Sequence, residues 1–102
     1  MSEVKGKEES VSGDLFDGKF VIKNKLGLHA RAAVVLVQAA GKYESEITVS
    51  KDDIEVNGKS IMGILMLGAT MGSTIRVTAR GSDAEKAVAE LGRLISSKFG
   101  EE

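Results

Sequence analysis

Cysteine is absent from the 102 residues, which excludes disulfides, thiolate nucleophiles and thiolate metal sites. Nothing in the composition then calls for an oxidising compartment, and the reducing cytoplasm is the expected setting. Aromatic residues are scarce: one Tyr, three Phe and no Trp are too few for a base-stacking platform. Neither sign of charge is in excess, since 14 basic and 15 acidic residues leave a formal net charge of −1, so no nucleic-acid partner is expected. No apolar run approaches the roughly 20 residues of a membrane span, and the opening Met-Ser-Glu-Val-Lys-Gly-Lys-Glu-Glu-Ser is charged where a secretory signal needs an apolar stretch. A single histidine without cysteine cannot furnish the usual zinc set, so neither metal nor cofactor is expected. What remains is a soluble chain, 42% hydrophobic, long enough for one core and too short for two.

Residues 1–17 are rich in Glu, Lys, Ser and Gly without sustained periodicity, and are expected to form a flexible extension. The folded domain is expected over 18–102. Phe20 and Ile22 alternate with Lys19 and Lys23 as in a half-buried strand. Asn24 to His29 reads as a glycine-containing turn, and Ala30 to Ala40 as a buried helix closed by Gly41. The run Val34-Val35-Leu36-Val37 favours a strand by propensity, but the surrounding alanines and the length favour a helix. Ile47 and Val49, a turn at Asp52-Asp53, then Ile54 and Val56 predict a hairpin. Ser60 is placed to cap a short helix weakened by Gly63. Ile75, Val77 and Ala79 alternate as a further strand, Ser82-Asp83-Ala84-Glu85 has capping-box spacing, and Ala84, Ala87, Val88, Leu91, Leu94 and Ile95 form an amphipathic stripe. The order β-α-β-β-α-β-α predicts an α+β fold, a four-stranded sheet with its helices on one face.

His29 stands where a turn gives way to a helix. The first N–H groups of a helix are unpaired and its dipole there favours negative charge. A phosphate on the imidazole would accept hydrogen bonds from the amides of Ala30, Arg31 or Ala32, with the Arg31 guanidinium as a second clamp. Imidazole suits reversible phosphoryl carriage because its neutral form is a nucleophile near neutral pH. The ordinary alternative is a histidine that caps a helix or faces solvent, and local chemistry alone leaves both open. A Ser–His hydrolase finds no G-x-S-x-G pattern to rest on.

Two stretches, Gly27-Leu28-His29-Ala30-Arg31 and Gly58-Lys59-Ser60-Ile61-Met62-Gly63-Ile64-Leu65, resemble the active-site and regulatory-serine motifs of the histidine-containing phosphocarrier family, HPr, in order and spacing. The resemblance covers residue 19 to about residue 98. It implies an open-faced β-sandwich, with a four-stranded antiparallel sheet and three helices on one face. It further implies that His29 accepts a phosphoryl group on Nδ1 from enzyme I, charged by phosphoenolpyruvate, and passes it to enzyme II A components of the sugar phosphotransferase system. The protein would be a monomeric stoichiometric carrier, not an enzyme. Arg31 would steady the phosphoryl group, and Ser60 would be the target of an HPr kinase/phosphorylase. Ile61, Met62 and Leu65 would belong to the partner interface. For Ile61, Met62, Leu65 and Met66, ordinary core packing is expected to account for about half. Ser60 also has an unregulated role, as a helix cap worth roughly 1 kcal/mol.

Ala32 departs from the family pattern, which usually has proline there; this chain contains no proline. Alanine forgoes roughly 0.4–1 kcal/mol of stability and restores an N–H. Two rival functions stand beside the carrier: a regulatory paralogue on a nitrogen-related or signalling branch, which binds partners without serving sugar uptake, and a stand-alone binding domain indifferent to His29→Ala.

Overall fold

The structure is a computed structural model that describes residues 14–101. It consists of β1 (Asp14–Val21), α1 (Ala30–Ala40), β2 (Glu46–Lys51), β3 (Ile54–Asn57), α2 (Ile61–Met66), β4 (Thr74–Gly81) and α3 (Ala84–Ser96), followed by a 3-10 turn over Lys98–Gly100. The strands form one antiparallel sheet in the order β1-β4-β2-β3. The α+β order is the expected one. The 3-10 turn was not foreseen.

β1 begins at Asp14, ahead of the boundary expected at Gly18. Asp14 to Asp17 pair with Gly81 to Thr78, a backbone ladder that needs no apolar alternation to hold it. Leu15 accordingly points outward at 59% exposure. The rest of the expected extension, residues 1–13, lies outside the described residues.

Strand periodicity sets the layering. Val49 sits opposite both Val56 and Val77, and these, with Ile47, Ile75 and Ala79, turn one face of the sheet inward. Thr48, Ser50, Arg76, Thr78 and Arg80 alternate with them on the uncovered face. α3 packs on β1 and β4 through Ala84, Ala87, Leu91 and Ile95, while Val88 and Leu94 flank the stripe half-buried. α1 buries Ala32, Ala33, Leu36, Ala39 and Ala40, and its valines lie on half-buried flanks. Small residues on the buried face bring the helix close to the core, which overrides the valines' strand preference. Gly41 does cap α1, but in the right-handed region at φ −65°.

The expected capping box at Ser82–Glu85 does not form. Asp83 is the N-cap of α3 but makes no side-chain cap hydrogen bond. Its carboxylate instead accepts from the amides of Glu44 and Ser45 and from the Ser45 hydroxyl, at 2.9, 3.0 and 2.5 Å. The carboxylate thus ties the entry of β2 to the entry of α3.

Those bonds, the Ser45 hydroxyl first and the Glu44 amide next, hold the Asp83 carboxyl below the usual aspartate range. A carboxyl whose pKa is lowered on folding stabilises the fold above its unfolded-state pKa, and that contribution is lost as pH falls through the folded-state value. Asp83→Asn is therefore expected to narrow the drop in urea midpoint between neutral pH and the acid side of the aspartate range. An unchanged drop would show that the lock contributes nothing to acid sensitivity.

Candidate functional site

The connection from β1 to α1 is held against the loop that follows α2. Ile22 N–H donates to Ser73 O and Leu28 N–H to Ala69 O, while Gly72 N–H donates back to Ile22 O. Gly27 makes this approach possible: its φ is +68°, and a Cβ there would stand 2.5 Å from Ala69 O and 2.9 Å from Thr70 Cα.

His29 emerges from this loop as the N-cap of α1, in extended conformation (φ −82°, ψ −177°), and its side chain makes no cap hydrogen bond. The first intrahelical bond runs from Ala33 N–H to His29 O. The amides of Ala30, Arg31 and Ala32 therefore lie in the unpaired first turn beside the ring. Ala32 is wholly buried, while Arg31 is exposed and its guanidinium has no hydrogen-bond partner among the described residues.

The imidazole is 27% exposed, and its Nε2 lies 2.6 Å from Glu101 Oε2. A carboxylate only accepts, so Nε2 carries the hydrogen, and the lone pair of the neutral ring is on Nδ1. The other Glu101 oxygen accepts from Asn24 Nδ2 at 2.9 Å, and the same amide nitrogen donates to Gly27 O at 2.8 Å. Both partners of Asn24 are acceptors, which fixes the orientation of its amide. Asn24 is fully buried, and its Oδ1 has no hydrogen-bond partner among the described residues. An unpaired buried acceptor costs about 1–3 kcal/mol. The Asn24 hydrogen bond, supported by the His29 ring and the Arg31 charge, holds the Glu101 carboxyl below the usual glutamate range against the opposing effect of burial.

A kinked C-terminal turn brings Glu101 to this position. Lys98, Phe99 and Gly100 have φ of +63°, +57° and +80°, so two residues with side chains occupy the left-handed region, at roughly 1–2 kcal/mol each. Phe99, 6% exposed, anchors the turn in the core. An open depression of about 800 Å³ results, lined by Lys25, Leu26, His29, Ala30, Arg31 and Glu101. Among the described residues no group of three or more His, Asp or Glu is placed to hold a metal ion. No helix there is long and apolar enough to cross a membrane.

Ser60 is the N-cap of α2, and its Oγ accepts from Gly63 N–H at 3.0 Å. Gly63 is needed for close packing, since a Cβ there would lie 3.1 Å from Val56 Cβ and 3.3 Å from Ser60 Oγ. The expected half-and-half division of the α2 side chains fails. Ile61, Met62, Leu65 and Met66 are all on the outside, at 41, 69, 36 and 69%, and Ile64 alone enters the core from this helix. A six-residue helix across a sheet edge turns only a narrow face inward. Leu26 and Met71, at 69 and 56%, extend the exposed apolar surface on the two loops joined at Leu28 and Ala69.

Sequence reasoning read Asn24 only as a turn residue and missed Glu101 altogether. Their link spans 77 positions and leaves no local pattern.

Residues 16–97 match the family described as PTS HPr component phosphorylation site. The phosphocarrier protein HPr of Neisseria meningitidis serogroup A is 49% identical over 80 residues, 78% of this chain and 90% of that protein. The phosphocarrier protein HPr of Xylella fastidiosa strain 9a5c is 42% identical over 88 residues, covering 86% and 99%. Among solved structures, the HPr of Thermoanaerobacter tengcongensis superposes with a TM-score of 0.83 at 50% identity, covering 85% of this chain and 98% of that one.

Ser60→Ala is expected to cost about 0.5–2 kcal/mol in urea unfolding and to speed hydrogen exchange at the Gly63 amide, because the cap is lost. Ser60→Gly should lose only a few tenths of a kcal/mol by the same measurement.

Proposed function

The chain belongs to the HPr family of phosphotransferase-system phosphocarriers, and from that premise we propose that His29 carries the phosphoryl group, on Nδ1. The observation that carries this assignment is the division of the ring. Nε2 is engaged by Glu101, and Nδ1 is left as the nucleophilic nitrogen at a helix start with three unpaired amides. Nδ1 attacks phosphorus, its bond forms as the bond from phosphorus to the donor's leaving atom breaks, and delivery runs the same step backwards. The amides of Ala30, Arg31 and Ala32 and the Arg31 guanidinium neutralise the phosphoryl oxygens. The Ala32 amide is a donor that a proline could not supply.

Enzyme I, charged by phosphoenolpyruvate, is the donor and enzyme II A components are the acceptors. The protein acts as a monomeric, stoichiometric carrier in the cytoplasm, and each partner completes the half-site that it presents. Ile61, Met62 and Leu65, joined by Leu26, Met66 and Met71, form the docking surface, where flexible methionines adapt to more than one partner. Phosphorylation of Ser60 by an HPr kinase/phosphorylase would place about −1.5 to −2 charges beside that apolar surface while leaving α2 capped, blocking docking without unfolding.

Incubation with enzyme I, magnesium and phosphoenolpyruvate should add one acid-labile phosphoryl group, seen by intact mass in alkaline solution, and none to His29→Ala. Arg31→Ala should slow the transfer about 10- to 100-fold, as expected for one charge-assisted contact. No addition by an enzyme I that charges a control carrier would overturn the assignment. Met62→Glu should weaken binding to enzyme I in a titration while leaving the urea midpoint unchanged.

A further inference from the structure

Three features around His29 exceed what a nucleophile and a phosphate clamp require. Asn24 is buried with one unpaired oxygen, two side-chain-bearing residues take left-handed backbone, and both features meet at the Glu101 carboxylate on Nε2. We propose that Asn24 and Glu101 are positioning residues for phosphoryl transfer, forming an amide–carboxylate–imidazole relay that orients the ring and stabilises the positive charge it gains when Nδ1 bonds to phosphorus. The proposal rests on His29 being the carrier.

The chemistry follows from the charge balance of the ring. The neutral ring carries its hydrogen on Nε2, toward Glu101. When the Nδ1 lone pair forms the bond to phosphorus, the ring becomes an imidazolium with that hydrogen still on Nε2. The carboxylate is already 2.6 Å away and holds the charge without reorganising. Protonated on Nε2, the phosphorylated ring departs from phosphorus as neutral imidazole, whereas without that proton it would have to depart as imidazolate, so keeping the proton on Nε2 also keeps the phosphoryl group transferable. The relay serves charging and discharge alike, as a buried carboxylate serves the histidine of a hydrolase triad.

Asn24 is needed because a glutamate side chain held by one hydrogen bond alone would sample many positions. Its amide donates to one carboxylate oxygen and leaves the other for the ring. Arg31 and Lys25 are the cations that line the same depression, and Arg31 also acts on Glu101. Both cations oppose a positive ring, so the carboxylate has to outweigh them.

The test uses the full chain, charged by enzyme I and phosphoenolpyruvate, as wild type, Glu101→Gln, Asn24→Ala and the near-isosteric Asn24→Asp. Glutamine lacks the charge and has one acceptor oxygen where Glu101 uses two, and aspartate at position 24 turns an anion toward Glu101. Nitrogen-15 and phosphorus-31 NMR follow the titration of Nε2 in the phosphorylated ring, and steady-state kinetics treat the carrier as substrate of enzyme I. In the variants the phosphorylated ring is expected to titrate at lower pH than in wild type, with kcat reduced about tenfold or more and KM little changed. Glu101→Gln, a near-isosteric change at a partly exposed side chain, keeps the test valid if a position 24 variant fails to fold. Wild-type titration and wild-type kcat in Glu101→Gln would overturn the relay. A phosphoryl group found elsewhere than on His29 would overturn the carrier assignment and the relay with it, an outcome that intact mass of His29→Ala separates from the first.

Discussion

The close approach of Gly27 to Ala69 is the contact on which the functional end of the molecule depends. The backbone there passes so near its neighbour that a Cβ would stand 2.5 Å from the Ala69 carbonyl, and Leu28 uses the approach to donate to that oxygen. Two loops far apart in sequence become one ledge. The first delivers His29 to the start of α1. The second follows α2 and carries Met71, so that His29 and the exposed apolar surface are set on a shared, hydrogen-bonded base. A side chain at position 27 would have to part the loops, and would disturb the setting of His29 and of the exposed apolar surface together.

The site concentrates unfavourable local structure. Most of the chain obeys simple rules: the inner face of the sheet is aliphatic, α3 carries a regular stripe, and α1 presents small residues to the core. Around His29 the rules are broken together, by an orphaned amide oxygen, by left-handed lysine and phenylalanine, and by unpaired amides at a helix start. Rule-breaking that gathers at one place while the remaining structure follows local preference is the pattern expected of a functional site.

What the sequence made legible was local. The span of α1, the hairpin about Asp52-Asp53 and the Ser60 cap each depend on residues within a few positions of one another, and each forms where expected. His29 and Arg31 were singled out because a turn and a helix start sit side by side in the chain. Asn24 and Glu101 escaped because their partnership is made by the fold, through a kink that neither lysine nor phenylalanine announces. Asp83 shows the converse failure. Ser82 and Glu85 have capping-box spacing, but the N-cap falls one residue later, on Asp83, and the Ser45 hydroxyl and the neighbouring amides offer the Asp83 carboxylate more donors than its own helix would. On α2 the apolar residues outnumber the positions that a short helix can bury, and composition does not say which of them stay outside.

Among the described residues the sheet order places β1 at an edge, beside β4, with Asp14 opposite Gly81. In the cell β1 therefore waits for its partner until the chain has been made through β4, on the order of several seconds later at ordinary rates of translation. During that interval the hairpin of β2 and β3 can close, but the apolar undersides of β1 and α1 have no sheet to cover them. β4, which lies between β1 and β2 and pairs with both, is the strand that joins the two parts of the sheet.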